Sequence, residues 1–210
     1  MNNSLLRSAR LLGAAVRALL VLTVLTGILY PLAVTGVAQA LFPGKANGSE
    51  IEADGKVAGS SLIGQQGYSL RYFQPRPAHG LGQNPLNTRY RLVLSGATNL
   101  AADSEELTRQ VEAAKAAVVK DNSVPGYRVR PSDVPADAVT SSGSGLDPDI
   151  SPAYARLQVH RVAARNGLPV AAVEKLVEAH TTARTLGFLG EPRVNVLELN
   201  IALRDLVAKR

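Results

Sequence analysis

Ala18 to Phe42 is an unbroken run of 25 uncharged residues, ALLVLTVLTGILYPLAVTGVAQALF, in a chain of 210. Thirteen of them are Leu, Ile, Val or Phe. As a helix the run is roughly 37 Å long, against a hydrocarbon core of about 30 Å. Such a segment predicts a membrane span. Pro31 removes one backbone donor, so Thr26, Thr35 or a neighbouring helix has to satisfy the freed groups. Gly27 and Gly36 permit another helix to come close. A cleaved signal peptide is the alternative, because Ala38-Gln39-Ala40 is an A-x-A cleavage pattern. The apolar stretch exceeds the usual signal core of about 7–15 residues, which favours an anchor. In either case Arg7, Arg10 and Arg17 stay inside and residues 43–210 face outward.

Charge is distributed in keeping with that division. The chain holds 23 Lys and Arg against 17 Asp and Glu, a net charge of +6. Three of the basic residues precede the apolar run, and the first acid is Glu50. Past residue 42 the balance is 20 basic to 17 acidic, with the signs mixed. No basic stripe exists for a phosphate backbone, and the aromatics are only 6 Tyr and 3 Phe, so nucleic-acid binding is not expected. The absence of Cys removes disulfides, thiolate metal sites and Cys nucleophiles. A core must then be built from packing alone, which 168 residues can supply.

Residues 43–60 are rich in Gly, Ser and Lys and read as a linker. Across 61–95, Leu62-Ile63, Tyr68–Phe73 and Tyr90–Leu94 read as short strands separated by Gly and Pro. A helix is expected over 103–120, opened by Asp103 with Glu106 in capping-box spacing. Residues 121–150 read as irregular, with Ala138–Ser141 the one strand candidate. Ser151-Pro152 caps a helix that ends at Asn166-Gly167. Pro169 opens a second, and Val196, Leu199, Leu203 and Leu206 mark a last one that Asn195 can cap. Asn200 inside that helix reads as a solvent or partner contact. The fold class is therefore α/β or α+β. One N-terminal transmembrane helix precedes a single exported domain with short strands and C-terminal helices. The divisions are 1–17 tail, 18–42 membrane helix, 43–60 linker and 61–210 extracytoplasmic domain.

Local motifs offer little chemistry. Gly59 to Gly64 has P-loop spacing without the Lys and Ser/Thr that must reach phosphates and Mg²⁺. Ser144 with His160 is the one hydrolase pairing, but G-x-S-x-G occurs nowhere. Asp147 and Asp149 lack the set of oxygen ligands that Ca²⁺ needs. Neither a catalytic residue nor a metal ligand stands out.

Longer strings carry more. They include Tyr30-Pro31-Leu32, Ala46-Asn47-Gly48-Ser49, Leu62-Ile63-Gly64-Gln65, Tyr72-Phe73 with Arg76-Pro77, and Ser95-Gly96 with Asn99-Leu100. Val139 to Pro148 (VTSSGSGLDP) follows, then Gln158 with Arg161-Val162-Ala163, and finally Gly190 to Asn200 (GEPRVNVLELN). In this order and spacing the chain resembles the C subunit of the Kdp potassium-transporting P-type ATPase over nearly its whole length. One departure is Ala97-Thr98, where that family usually has Gly-Ser. Ala adopts positive φ less readily than Gly, so that loop is expected to differ.

The resemblance implies an accessory subunit of a high-affinity, ATP-driven potassium importer in the bacterial plasma membrane. It implies three partners: a channel-like potassium-binding subunit, a P-type ATPase subunit and a small single-span subunit. It also implies a catalytic chaperone that raises the pump's affinity for ATP, with potassium as the transported ion. ATP binding and nucleotide binding are implied by the resemblance alone, since the residues carry no ATP-site motif, and an effect on ATP use is expected to pass through the complex. Ser95, Gly96, Asn99, Leu100, Ser141, Ser144, Gly145, Asp147 and Asn195 are the expected partner-facing or structurally special positions. Gly27, Tyr30, Pro31 and Gly36 are the expected helix-packing positions. The alternatives are a membrane-anchored exported hydrolase and a solute-binding module.

Overall fold

A computed structural model describes residues 2–83 and 93–209. It separates into two compact units, residues 1–50 and 51–210.

The first unit is one long helix in three pieces. Helix α1 (Asn2–Val24) runs into a π turn (Leu25–Leu29), and α2 (Tyr30–Leu41) continues it. The π turn lies directly ahead of Pro31, whose ring would clash with the carbonyl four residues back in a regular helix. Widening the turn relieves that clash. Leu6–Leu41 is long and apolar enough to cross a membrane, with a mean hydropathy of 2.1 in its most apolar window. The large apolar side chains along it are exposed, as a lipid-facing helix requires.

Residues 43–60, expected as a linker, carry structure instead. A short helix, α3 (Pro43–Ala46), is followed by strands β1 (Glu50–Ala53) and β2 (Lys56–Ser60). Asp54 and Gly55 join the strands, with φ of 54° and 69°. This Asp-Gly pair is a type I′ hairpin turn.

The second unit packs helices on a small sheet. Helix α4 (Glu105–Asn122) starts two residues later than expected, because Ser104 rather than Asp103 caps it. Strand β5 (Asp149–Ile150) precedes α5 (Pro152–Asn166), which Ser151 caps and Gly167 ends at φ 64°. Next come α6 (Val170–Ala179), β6 (Thr181–Thr182), β7 (Arg193–Asn195) and α7 (Val196–Ala208). The three strands form an antiparallel sheet in the order β5-β7-β6. Val159, Val162, Val173, Val177, Leu199 and Leu203 fill the core between the helices.

Three strand expectations fail. Leu62-Ile63 lie in the turn that follows β2. Ala138–Ser141 is not a strand; Ala136–Ala138 is a 3-10 turn. Tyr68–Phe73 is not a strand either, although Phe73 is completely buried. Its backbone is held by side chains rather than by a sheet. The Tyr90–Leu94 expectation falls mostly outside the described residues. Val93–Leu94 form a strand, β4, paired with β3 (Gly82–Gln83).

Candidate functional site

Residues 68–74 cross the core without regular structure, so their buried peptide groups need partners. Helices α5 and α7 supply them. Asn200 donates to the Phe73 carbonyl at 3.0 Å and accepts the Phe73 N–H at 2.8 Å. Gln158 does the same for Gln74, at 3.1 and 2.7 Å. Asn166 donates to the Arg71 carbonyl at 2.7 Å.

Arg161 is the centre of this grip and is fully buried. Its guanidinium donates to Asn122 Oδ1 at 2.8 Å, to Gln158 Oε1 at 2.6 Å, to the Tyr72 carbonyl at 2.9 Å and to the Leu70 carbonyl. Every acceptor is neutral. Burial without a bonded carboxylate pulls its pKa down to about 10. The planar fork of five donors suits this task, since it meets four acceptors drawn from α4, α5 and the 70–72 segment. Arg161 and Gln158 therefore organise the fold.

Above this framework four loops meet through their backbones. The Gly96 N–H donates to the Ser144 carbonyl at 3.0 Å, and Ser95 Oγ donates to the same oxygen at 2.9 Å. The Gly64 N–H donates to the Leu146 carbonyl at 2.7 Å. The His79 N–H donates to Ser141 Oγ at 3.0 Å. Glycines make the approach possible. A Cβ on Gly80 would collide with the Gly96 carbonyl and the backbone of Ala97, and one on Gly64 with the Asp147 carbonyl. Gly145 sits at φ 68° against Leu81.

Asp147 ties the cluster to the irregular segment. It takes a 2.7 Å ion pair from Arg76 and accepts the Asp149 N–H at 3.0 Å. Arg76 also donates to the Thr140 carbonyl. Beside them lies an open cleft of about 710 Å³ that Arg76, Asp137, Asp147, Asp149 and Arg193 help to line. Burial raises the Asp149 carboxyl above its ordinary range, and Arg193 at 3.0 Å opposes that shift. Among the described residues no group of three or more His, Cys, Asp or Glu is placed to hold a metal.

The expected site residues thus fall into groups. Ser95, Gly96, Ser141, Ser144, Gly145 and Asp147 come together in the loop cluster. Asn195 lies at its edge. It caps α7 through the Glu198 N–H at 3.1 Å and donates to the Ser61 carbonyl at 2.9 Å. Asn99 is exposed and takes the positive φ of its loop, 53°, with Leu100 following half-buried. Since Asn tolerates that conformation, Ala97 does not have to adopt it. Asn200, read as a solvent or partner contact, is instead 4% exposed and clamps Phe73.

The structure does not assemble the hydrolase pair. Ser144 Oγ accepts the Leu146 N–H within its own turn. His160 stacks on Tyr127, with ring centroids 3.7 Å apart, and lines a separate cavity of about 520 Å³. The Gly59–Gly64 loop offers no phosphate cradle, because the Gln65 side chain folds into it and donates to the Ala58 carbonyl at 3.2 Å.

This arrangement of one apolar helix, a side-chain-clamped segment and a glycine loop cluster can be set against known proteins. The family model described as the c chain of the K+-transporting ATPase matches residues 12–205. The chain belongs to the KdpC family. A potassium-transporting ATPase KdpC subunit from Streptomyces coelicolor is 71% identical across 99% of this chain and 98% of its own length. One from Gemmatimonas aurantiaca is 50% identical across 89% and 88%. One from Mycobacterium bovis is 48% identical across 91% and 96%. The KdpC match covers both units, so the apolar helix and the clamped domain are parts of one family architecture.

Proposed function

We propose that this chain is the accessory and assembly subunit of a high-affinity, ATP-driven potassium importer in the bacterial plasma membrane. What carries the reading is the match to KdpC over residues 12–205, which spans the helix and the domain together. Arg7, Arg10 and Arg17 put the N-terminus in the cytoplasm, and residues 43–210 then lie outside. The partners are a channel-like potassium-binding subunit, a P-type ATPase subunit and a small single-span subunit.

The chain raises the pump's affinity for ATP without holding ATP. With its folded domain outside, it acts by favouring one conformational state of the complex. A clamped domain suits this role. It offers partners a fixed loop cluster, with Ser95, Gly96 and Ser141 to Asp147 facing them.

Removal of residues 1–42, with a cleavable export signal in their place, tests the reading. The expected outcome is loss of co-purification with the pump from solubilised membranes. Stoichiometric retention would refute the helix as the point of attachment. ATP dependence of the pump, measured with and without this chain, tests the chaperone role, and an unchanged KM for ATP would refute it.

A further inference from the structure

The loop between β6 and β7 turns at Leu186-Gly187, with φ of 54° and 83°. The Phe188 N–H closes this turn on the Thr185 carbonyl. Two successive positive φ values favour Asn-Gly or Asp-Gly, as at Asp54-Gly55 in the same chain. A branched apolar residue there is strained, and Leu186 gains little by packing because it is 79% exposed. Phe188 and Leu189 beside it are 69% and 51% exposed. The tip is closely bonded within itself. Thr185 and Leu189 exchange N–H···O bonds at 2.9 Å, and the Gly187 N–H donates to the Arg184 carbonyl at 3.1 Å. No charge falls between Arg184 and Glu191, and those two form an ion pair of 2.6 Å at the base of the loop.

Whatever covers this tip must reward three apolar side chains and ask for few hydrogen bonds. Together they present on the order of 400 Å² of apolar area, about half of what each partner in a specific protein interface buries. A second copy of the chain has too little to hold. A strand-adding peptide finds the N–H groups of Thr185, Gly187, Phe188 and Leu189 already used within the loop. A bilayer needs neither shape complementarity nor free donors, only apolar side chains and backbone groups satisfied internally. It is also within reach. Residues 42–50 join the end of α2 to the second unit, and that length of chain spans at most about 35 Å. Such a tether makes contact with lipid effectively intramolecular, so a small patch is enough. We propose that the Leu186–Leu189 tip dips into the outer leaflet of the membrane that α1 and α2 span, as a second, shallow point of attachment for the domain. This rests on the reading of the apolar helix as an anchor with the domain outside.

The chain has no cysteine, so a single introduced thiol reports one position. Phe188→Cys, in the full chain expressed with the other pump subunits, is labelled with an environment-sensitive fluorophore. Glu112→Cys, exposed on α4, is the control. The complexes are reconstituted into phosphatidylcholine vesicles that contain a lipid spin-labelled near its headgroup. The expected result is quenching several-fold stronger at 188 than at 112, and unchanged in high salt because the tip carries no charge. Leu186→Asn with Leu189→Ser keeps the turn chemistry and removes the apolar surface. It should cut the quenching at 188 several-fold without lowering Tm. Equal quenching at both positions, quenching lost in high salt, or quenching indifferent to the double substitution would overturn the proposal. So would a benzophenone thiol reagent at Phe188→Cys that attaches to another pump subunit, or to a second copy of this chain, rather than to lipid. Each of these results leaves the anchor reading intact. Release of the unmodified chain from membranes by alkaline carbonate would refute the anchor itself, and the tip's attachment falls with it.

Discussion

Asn200, near the end of the chain, holds both backbone polar atoms of Phe73 across 127 residues of sequence. The carboxamide is the one neutral side-chain group that donates and accepts in the spacing of a peptide bond, as Gln158 does for Gln74. Asn200→Leu keeps the forked shape of the side chain and removes both bonds, leaving a buried N–H and a buried carbonyl unsatisfied. The expected loss is about 2–4 kcal/mol of stability. Denaturant unfolding of the full chain in detergent measures it. A variant as stable as the parent would show that water replaces the amide.

Arg161→Lys conserves charge and should still be damaging. Lysine has one nitrogen and cannot meet four acceptors drawn from α4, α5 and the 70–72 segment. About 3 kcal/mol or more should be lost, with protease sensitivity rising around residues 68–74. Arg161→Lys with a parental melting curve would contradict the role given to the fork.

Tyr154 is 3% exposed, and burial pushes its phenol up to about 12. Between pH 10 and 12 the unfolded tyrosine ionises while the folded one keeps its proton. The native state then binds more protons, so this group's contribution to stability falls as pH rises. Arg161 contributes the opposite slope, because its pKa is lowered to about 10. Tyr154→Phe separates the two. Relative to the parent it should gain stability progressively from pH 10 to 12, by up to about 2 kcal/mol. A difference independent of pH would refute the shift.

Gly80→Ala tests the loop cluster, since the added methyl meets the Gly96 carbonyl and the Ala97 backbone rather than a movable side chain. A cost of about 1–3 kcal/mol is expected, together with faster hydrogen exchange at the Gly96 amide. Gly143→Ala, where a Cβ meets nothing within 4 Å, is the neutral control. Equal effects from both variants would mean that the loops move apart freely.

Leu186 stands at φ 54°, 79% exposed, at the tip of the loop between β6 and β7. Leu186→Gly removes the strain and loses almost no packing, so a gain of up to about 1 kcal/mol is expected. Calorimetry that shows destabilisation would assign the side chain a contact within the fold.

The helices were legible because their ends are written locally. Ser151-Pro152 and Asn166-Gly167 bracket α5, and Asn195 opens α7. The hairpin at 50–60 was also legible, in Asp54-Gly55, but its polar, Gly-rich surroundings read as linker. Tyr68–Phe73 reads as a strand because apolar and aromatic residues set off by Gly and Pro report burial without saying what pairs the backbone. Its partners lie 84 to 127 residues away in the cases of Gln158, Arg161 and Asn200. The available signal was the presence of these polar residues on the apolar stripes of α5 and α7. Of the expected site residues, those of the loop cluster were named from the resemblance. Its convergence rests on glycine contacts between distant loops, which no local pattern encodes.

The clamp on Phe73 also imposes an order on biosynthesis. The apolar helix and the 68–74 segment leave the ribosome long before Asn200 exists. At about 5–20 residues per second the wait is roughly 6–25 s. During that interval the early half of the domain has peptide groups with no protein partners and an uncovered Phe73. The membrane helix can insert at once, but the domain cannot close until its last helix is made. A chain halted before residue 200 would therefore be anchored yet open, a form that quality-control proteases can recognise and remove before it occupies a place in an assembly.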